Sequence, residues 1–114
     1  MLVGRLPIVD VRVVADDLIW ASRLSAAVER AGATPVREGG AAVIVDLGGR
    51  AYDGIAAVAA AAGTGTTVIA VAQHDDRETR RRALTAGARR VFSYNKMFSD
   101  GPQIVADLVA GRFA

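Results

Sequence analysis

Three carboxylates stand where a folded chain of this pattern would gather them. Ala42-Val43-Ile44-Val45 is an apolar run, β-branched at three of its four positions and without a helical period. It therefore reads as a strand buried on both faces, as in parallel sheets. Asp46 follows at its C-terminal end, and Asp16-Asp17 follow the run Val11-Arg12-Val13-Val14 in the same way. In open α/β sheets the loops leaving the carboxyl ends of the strands form the crevice where ligands bind. Carboxylates collected there with few basic neighbours suit a hard, oxygen-seeking cation that keeps several of its waters.

Other chemistry is narrowly bounded. The chain has 114 residues, 52% of them hydrophobic, enough for one domain spanning 1–114 with a core of its own. It has no cysteine, so disulfides and thiolate metal sites are excluded. Net charge is +2, and Lys96 is the single lysine against thirteen arginines. That balance reads as a coding bias, since a nucleic-acid footprint would need a concentrated basic face. No apolar run reaches the roughly 18 residues of a membrane span, and the N-terminus lacks the order of a signal peptide, so a cytoplasmic protein is expected. His74, the only histidine, precedes a helix and reads as a cap or surface residue. Arg80, Arg81 and Arg82 point in three directions around a helix and read as a solvated face. Gly63-Thr64-Gly65 lacks the lysine of a phosphate-binding loop and reads as a helix stop.

The elements that must position the carboxylates alternate along the chain. A first strand is expected over Asp10 to Ala15. A helix over Leu18 to Ala31 carries Trp20, Leu24, Ala27, Val28 and Ala31 as one apolar stripe, with Trp20 in the core and Gly32 as C-cap. Thr34-Pro35-Val36-Arg37 is a short extended piece, and Glu38-Gly39-Gly40 leads into the Asp46 strand. Asp53-Gly54 opens a helix over Ile55 to Ala62, and Thr67 to Ala72 is a further buried strand. His74-Asp75-Asp76 caps a helix over Arg77 to Ala86, with Glu78 three residues after Asp75 as in a capping box. Arg90 to Tyr94 is the last strand, and Asp100-Gly101-Pro102 starts the final helix. This order predicts a doubly wound parallel sheet with helices on both faces. Between Gly32 and Asp46 there is no room for a strand and a crossover helix, so a strap is expected where a helix would lie. Apolar surface left bare beside it predicts self-association or partner docking near Thr34 to Gly40.

With these residues in place, the chain resembles the receiver domain of two-component response regulators, most closely those of helix-turn-helix regulators. The resemblance rests on VRVVADD, on VIVDL with Asp46 in the phosphoacceptor position, on Asp53-Gly54 at the family's spacing, and on VIAVAQHDDRETRRRALTAGAR. It covers nearly the whole chain and implies a flavodoxin-like receiver fold, with the helix after the second strand missing or reduced to a strap. It also implies Mg²⁺ held by Asp16, Asp17, Asp46 and the Gly48 carbonyl, a cation that would let a phosphoryl group approach the anionic Asp46. Histidine kinases or downstream signalling proteins are the implied partners, with a homodimer also open.

Departures from that pattern are equally specific. The switch hydroxyl position falls on Ala72. The lysine position falls on Tyr94 without a gap, or on Lys96 with two inserted residues, and no proline follows either. The proline after the phosphoacceptor is Arg50. A charge-assisted hydrogen bond contributes about 1.5–3 kcal/mol, and a cation 4 Å from a phosphate about 4 kcal/mol at an effective dielectric of 20. Losing both would weaken a phosphorylated state. The sequence therefore predicts an atypical, non-enzymatic receiver signalling through protein contact, with a partly retained acidic pocket. The alternatives are a receiver accepting phosphate on Asp46 and a small Rossmann-like nucleotide binder. The last is disfavoured because Asp16-Asp17 stand where a glycine-rich dinucleotide turn would be needed.

Overall fold

A computed structural model describes residues 8–114, so part of the N-terminal stretch read for targeting signals lies outside it. Five strands and four helices follow one another as β1 (Asp10–Val14), α1 (Leu18–Arg30), β2 (Thr34–Val36), β3 (Ala42–Asp46), α2 (Gly54–Gly63), β4 (Thr67–Ala72), α3 (Arg77–Ala86), β5 (Arg90–Ser93) and α4 (Tyr94–Val109). All strand pairs are parallel, in the order β2-β1-β3-β4-β5. Central β3 is buried at every position, as its unbroken apolar run requires. Its alternate side chains feed two cores. Ile44 joins Val11, Leu24, Val28, Ile69, Val71 and Val105 beneath α1 and α4, while Val43 and Val45 join Val58, Val68, Ala70 and Ala83 beneath α2 and α3.

No helix connects β2 to β3. Residues 37–41 cross as a strap, in agreement with the sequence. At Gly40 the backbone has φ +92°, and an added Cβ would fall 2.9 Å from the Arg12 nitrogen. Only glycine allows so close a crossing. The Ala41 N–H then donates to the Asp10 carbonyl at 2.8 Å, which fixes the entry into β3. Beside the strap a cavity of about 540 Å³ is lined largely by apolar residues, among them Val13, Val14, Leu18, Pro35 and Val36. Leu18 and Ile19 stand out from its neighbourhood, 87% and 61% exposed.

Several element boundaries differ from the sequence reading. The last strand stops at Ser93, whose side chain accepts the Lys96 N–H at 3.1 Å, so the chain turns helical at Tyr94. Residues 94–109 are thus two helical segments that meet at Asp100 (φ −122°, ψ 17°): a first one that the sequence reading lacked opens at Tyr94, and the expected one follows Asp100, with Pro102, which has no N–H to donate, in its first turn. The cap of α3 is Asp76, accepting the Thr79 N–H at 3.1 Å, and not Asp75; Glu78 reaches the exposed Arg81 instead. Ala31 caps α1, and Gly32 follows it at φ +84°. Of the three arginines Arg80 is half-buried rather than on a solvated face, and its Nη1 donates to the Val91 carbonyl at 2.8 Å. Trp20 is only partly buried, packed at the edge of the core against Tyr94 with ring centroids 4.7 Å apart.

Candidate functional site

The carboxyl ends of β1, β3 and β4 bring the three aspartates to one edge of the sheet. One opening there, of about 380 Å³, is lined by Asp17, Trp20, Asp46, Gly48, Gln73 and Tyr94. Asp16, Asp17, Leu18, Ile19, Gly48 and Arg50 line its neighbour. The edge is shared, yet each carboxylate is turned to a different task.

Asp46 is 2% exposed and is the one polar residue among the buried side chains described. Its Oδ1 accepts the Gly48 N–H at 2.9 Å and the Tyr94 hydroxyl. Tyr94 can stand there because residue 48 has no side chain: a Cβ at Gly48 would fall 2.5 Å from the tyrosine oxygen. Burial, then the hydrogen bond to Asp46 and the charge of that carboxylate, raise the Tyr94 phenol well above its ordinary range. Tyr94 therefore remains a neutral donor throughout the physiological range.

Asp16 Oδ2 accepts two backbone N–H groups from the turn after β3, Arg50 at 2.9 Å and Ala51 at 2.6 Å. The Ala51 bond is the main reason its carboxyl lies below the usual range. Asp17 accepts the Trp20 N–H at 2.9 Å and so serves as the N-cap of α1. Asp53 does the same for α2 through the Ala56 N–H, at 3.1 Å.

Ala72 lies at the end of β4, buried and without a hydroxyl. Lys96, two residues after Tyr94 and so little more than half a turn further round α4, is on its exposed side, where its ammonium pairs with Asp100. Of the two sequence alignments, the ungapped one therefore describes the pocket: Tyr94 enters it, and Lys96 does not.

Sequence reasoning passed over Tyr52. Its hydroxyl lies 2.6 Å from the Asp46 carbonyl oxygen and 3.0 Å from that of Val14, sharing one hydrogen between the ends of β3 and β1. Burial first, and the Asp46 charge second, raise its phenol in turn. The only signal was its place six residues after Asp46, which a turn tyrosine carries without any such role.

Whether the site suits Mg²⁺ is decided by where these oxygens point. Among the described residues no three His, Cys, Asp or Glu side chains lie close enough to hold a metal together. In this arrangement one oxygen of each carboxylate is already taken, Asp16 Oδ2 by two amides, Asp17 Oδ1 by a cap and Asp46 Oδ1 by a hydroxyl and an amide, and the three are not gathered as a ligand set.

No family model matches the sequence, and no curated protein matches it. Solved structures do match in shape. The receiver domain of the Francisella response regulator 1452 superposes with a TM-score of 0.74 at 17% identity, over 91% of this chain and 98% of that one. The receiver domain of the putative response regulator NarL from Mycobacterium tuberculosis gives 0.74 at 19% identity, over 92% and 98%. A Burkholderia pseudomallei response regulator, solved with a phosphorylated aspartic acid, a calcium ion and citrate, gives 0.64 at 17%, over 92% and 72%. This chain has the flavodoxin-like fold of response-regulator receiver domains. At these identities the likeness establishes the fold, and function has to be argued from the site.

Proposed function

We propose that this domain is an atypical receiver in signal transduction, one that acts as a protein-contact module in a single unphosphorylated, metal-free state. The observation that carries the reading is the Tyr94 hydroxyl on Asp46 Oδ1, in the place where the receiver resemblance calls for a lysine. An incoming phosphoryl group would have to displace a neutral donor that is itself packed against Trp20, and would find no cation in exchange. Ala72 offers no hydroxyl to pull on a phosphoryl oxygen, so the usual coupling from site to surface lacks its donor. With Asp46 held by Tyr94 and Gly48, and no three metal-ligating side chains gathered among the described residues, the domain acts by binding another signalling protein rather than by catalysis. No helix among the described residues is long and apolar enough to cross a membrane, which suits a partner met in the cytoplasm.

Intact-mass spectrometry after incubation with Mg²⁺ and acetyl phosphate tests the proposal. The expected spectrum is that of the unmodified chain, with Asp46→Asn leaving partner binding nearly unchanged. Efficient addition of a phosphoryl group that disappears in Asp46→Asn would establish instead the receiver that accepts phosphate on Asp46 from a histidine kinase.

A further inference from the structure

A second recognition surface lies along the seam of α1 and α4. Gly101 of α4 meets Ala27 of α1 closely enough that an added Cβ would sit 3.1 Å from the alanine methyl. The two helices are drawn together at that level. Above the contact the kink at Asp100 leaves a cleft of about 240 Å³, lined by Trp20, Arg23, Ala26, Ala27, Arg30, Met97, Phe98 and Pro102. Small-molecule pockets run from about 300 to 1,000 Å³, so this one is scaled to receive a side chain of a partner rather than a free metabolite.

Charge at the cleft has one sign. Its only charged lining residues are Arg23 and Arg30, and neither has an ion-pair or hydrogen-bond partner among the described residues. The Arg23 guanidinium is held between two rings, 5.2 Å from the Trp20 centroid and 4.6 Å from that of Phe98. A guanidinium stacked in this way keeps its N–H edge free and oriented, which is the geometry that takes a carboxylate by two parallel hydrogen bonds. Phe98 is 64% exposed for an aromatic side chain, and nothing else in the described chain covers it. Arg30 follows Arg23 by seven residues, two turns and about 10.5 Å along the helix.

From this we infer that the α1–α4 cleft docks an acidic amphipathic helix of a partner protein. One apolar side chain of the partner enters between Phe98, Met97 and Pro102, and carboxylates about two turns apart meet Arg23 and Arg30. A second copy of this chain is the poorer occupant. A two-fold pairing of the face would crowd four guanidinium groups into one patch with no carboxylate lining it. The surface shares Trp20 with the Asp46 opening and runs from there down α1 away from it; neither Arg23 nor Arg30 lines that opening, so the inference does not require that Asp46 be modified.

The chain's only tryptophan lines the cleft and supplies the readout. Three helical peptides of about 18 residues, long enough to hold a helix, share one apolar stripe and carry Glu, Gln or Lys at positions seven apart. Titrated against the intact protein at low salt, the Glu peptide is expected to shift Trp20 fluorescence and to bind about tenfold or more tightly than the Gln peptide. The paired substitution Arg23→Glu with Arg30→Glu, on exposed positions that leave the core intact, should transfer the preference to the Lys peptide. Phe98→Ala should weaken every peptide. Equal affinity for the Glu and Gln peptides would overturn the inference. So would an unchanged preference in the charge-reversed protein, or a dimer in sedimentation that the charge reversal dissolves.

Discussion

A phenol donating to a buried carboxylate stabilises the fold whether or not it also blocks chemistry. Replacing Tyr94 by Phe leaves Asp46 Oδ1 with the Gly48 N–H alone. Hydrogen bonds to charged groups contribute about 1.5–3 kcal/mol, so Tyr94→Phe is expected to lower unfolding stability by about 2 kcal/mol, read from the urea midpoint at unchanged slope. The pH dependence has a definite sign. Both Tyr94 and Tyr52 hold their protons above the ordinary tyrosine range in the native state, chiefly through burial. Unfolded tyrosine ionises near pH 10. Their contribution is therefore complete below about pH 10 and is lost as pH rises beyond it, because the unfolded chain then binds fewer protons. Thermal unfolding should move to lower temperature above pH 10, and the fall should be shallower in Tyr94→Phe. The sequence contained this residue but not its choice: Tyr94 and Lys96 competed for one position, and only the start of α4 at Tyr94 decides between them. The carboxylates were legible at the ends of their strands. What each one bonds was not, since Asp16 is answered by Arg50 and Ala51, more than thirty residues away.

At the scale of elements, the strap is where local conformation and packing are most tightly bound together. Gly40→Ala would force a side chain into the left-handed region and against the Arg12 backbone. Strain of that kind costs about 1–3 kcal/mol, and the variant should unfold at correspondingly lower urea. Nearby, Leu18 is too exposed to contribute much to folding. Leu18→Glu is therefore expected to leave stability within about 0.5 kcal/mol, while reducing any concentration-dependent association measured by sedimentation. An association untouched by that change would place the contact away from the strap. Strand positions and the missing helix were readable because an apolar run and a five-residue gap leave few alternatives. The ends of elements were harder. Pro102 reads as a helix start, as proline at a first turn often does, and a helical segment does follow Asp100, but the extra segment that the Ser93 cap opens at Tyr94 had no comparable signal.

For the molecule as a whole, composition and the alternation of elements were enough to predict a doubly wound parallel sheet, and its shape is that of receiver domains. The surface was less legible. The cleft of Trp20, Arg23 and Phe98 joins residues from two helices whose closeness depends on Gly101 against Ala27. No periodicity within either segment records that meeting, and Trp20 accordingly read as core. The short strap also bears on the order in which the chain acquires its structure. Residues 37–41 replace a crossover helix and so shorten the connection from β1 to β3, and the entropy lost in closing a loop grows with its length, although the pairing of Val11 with Ala42 still spans more chain than those of Ala42 with Thr67 or Ile69 with Arg90. Central β3, paired on both sides, is therefore expected to be ordered before α4, the last element of the chain, docks on the sheet. Ile44→Val is expected to slow refolding in proportion to the stability it removes, and Val105→Ala to act mainly by accelerating unfolding. Stopped-flow chevrons in which both variants change only the unfolding limb would show that β3 is not ordered ahead of α4.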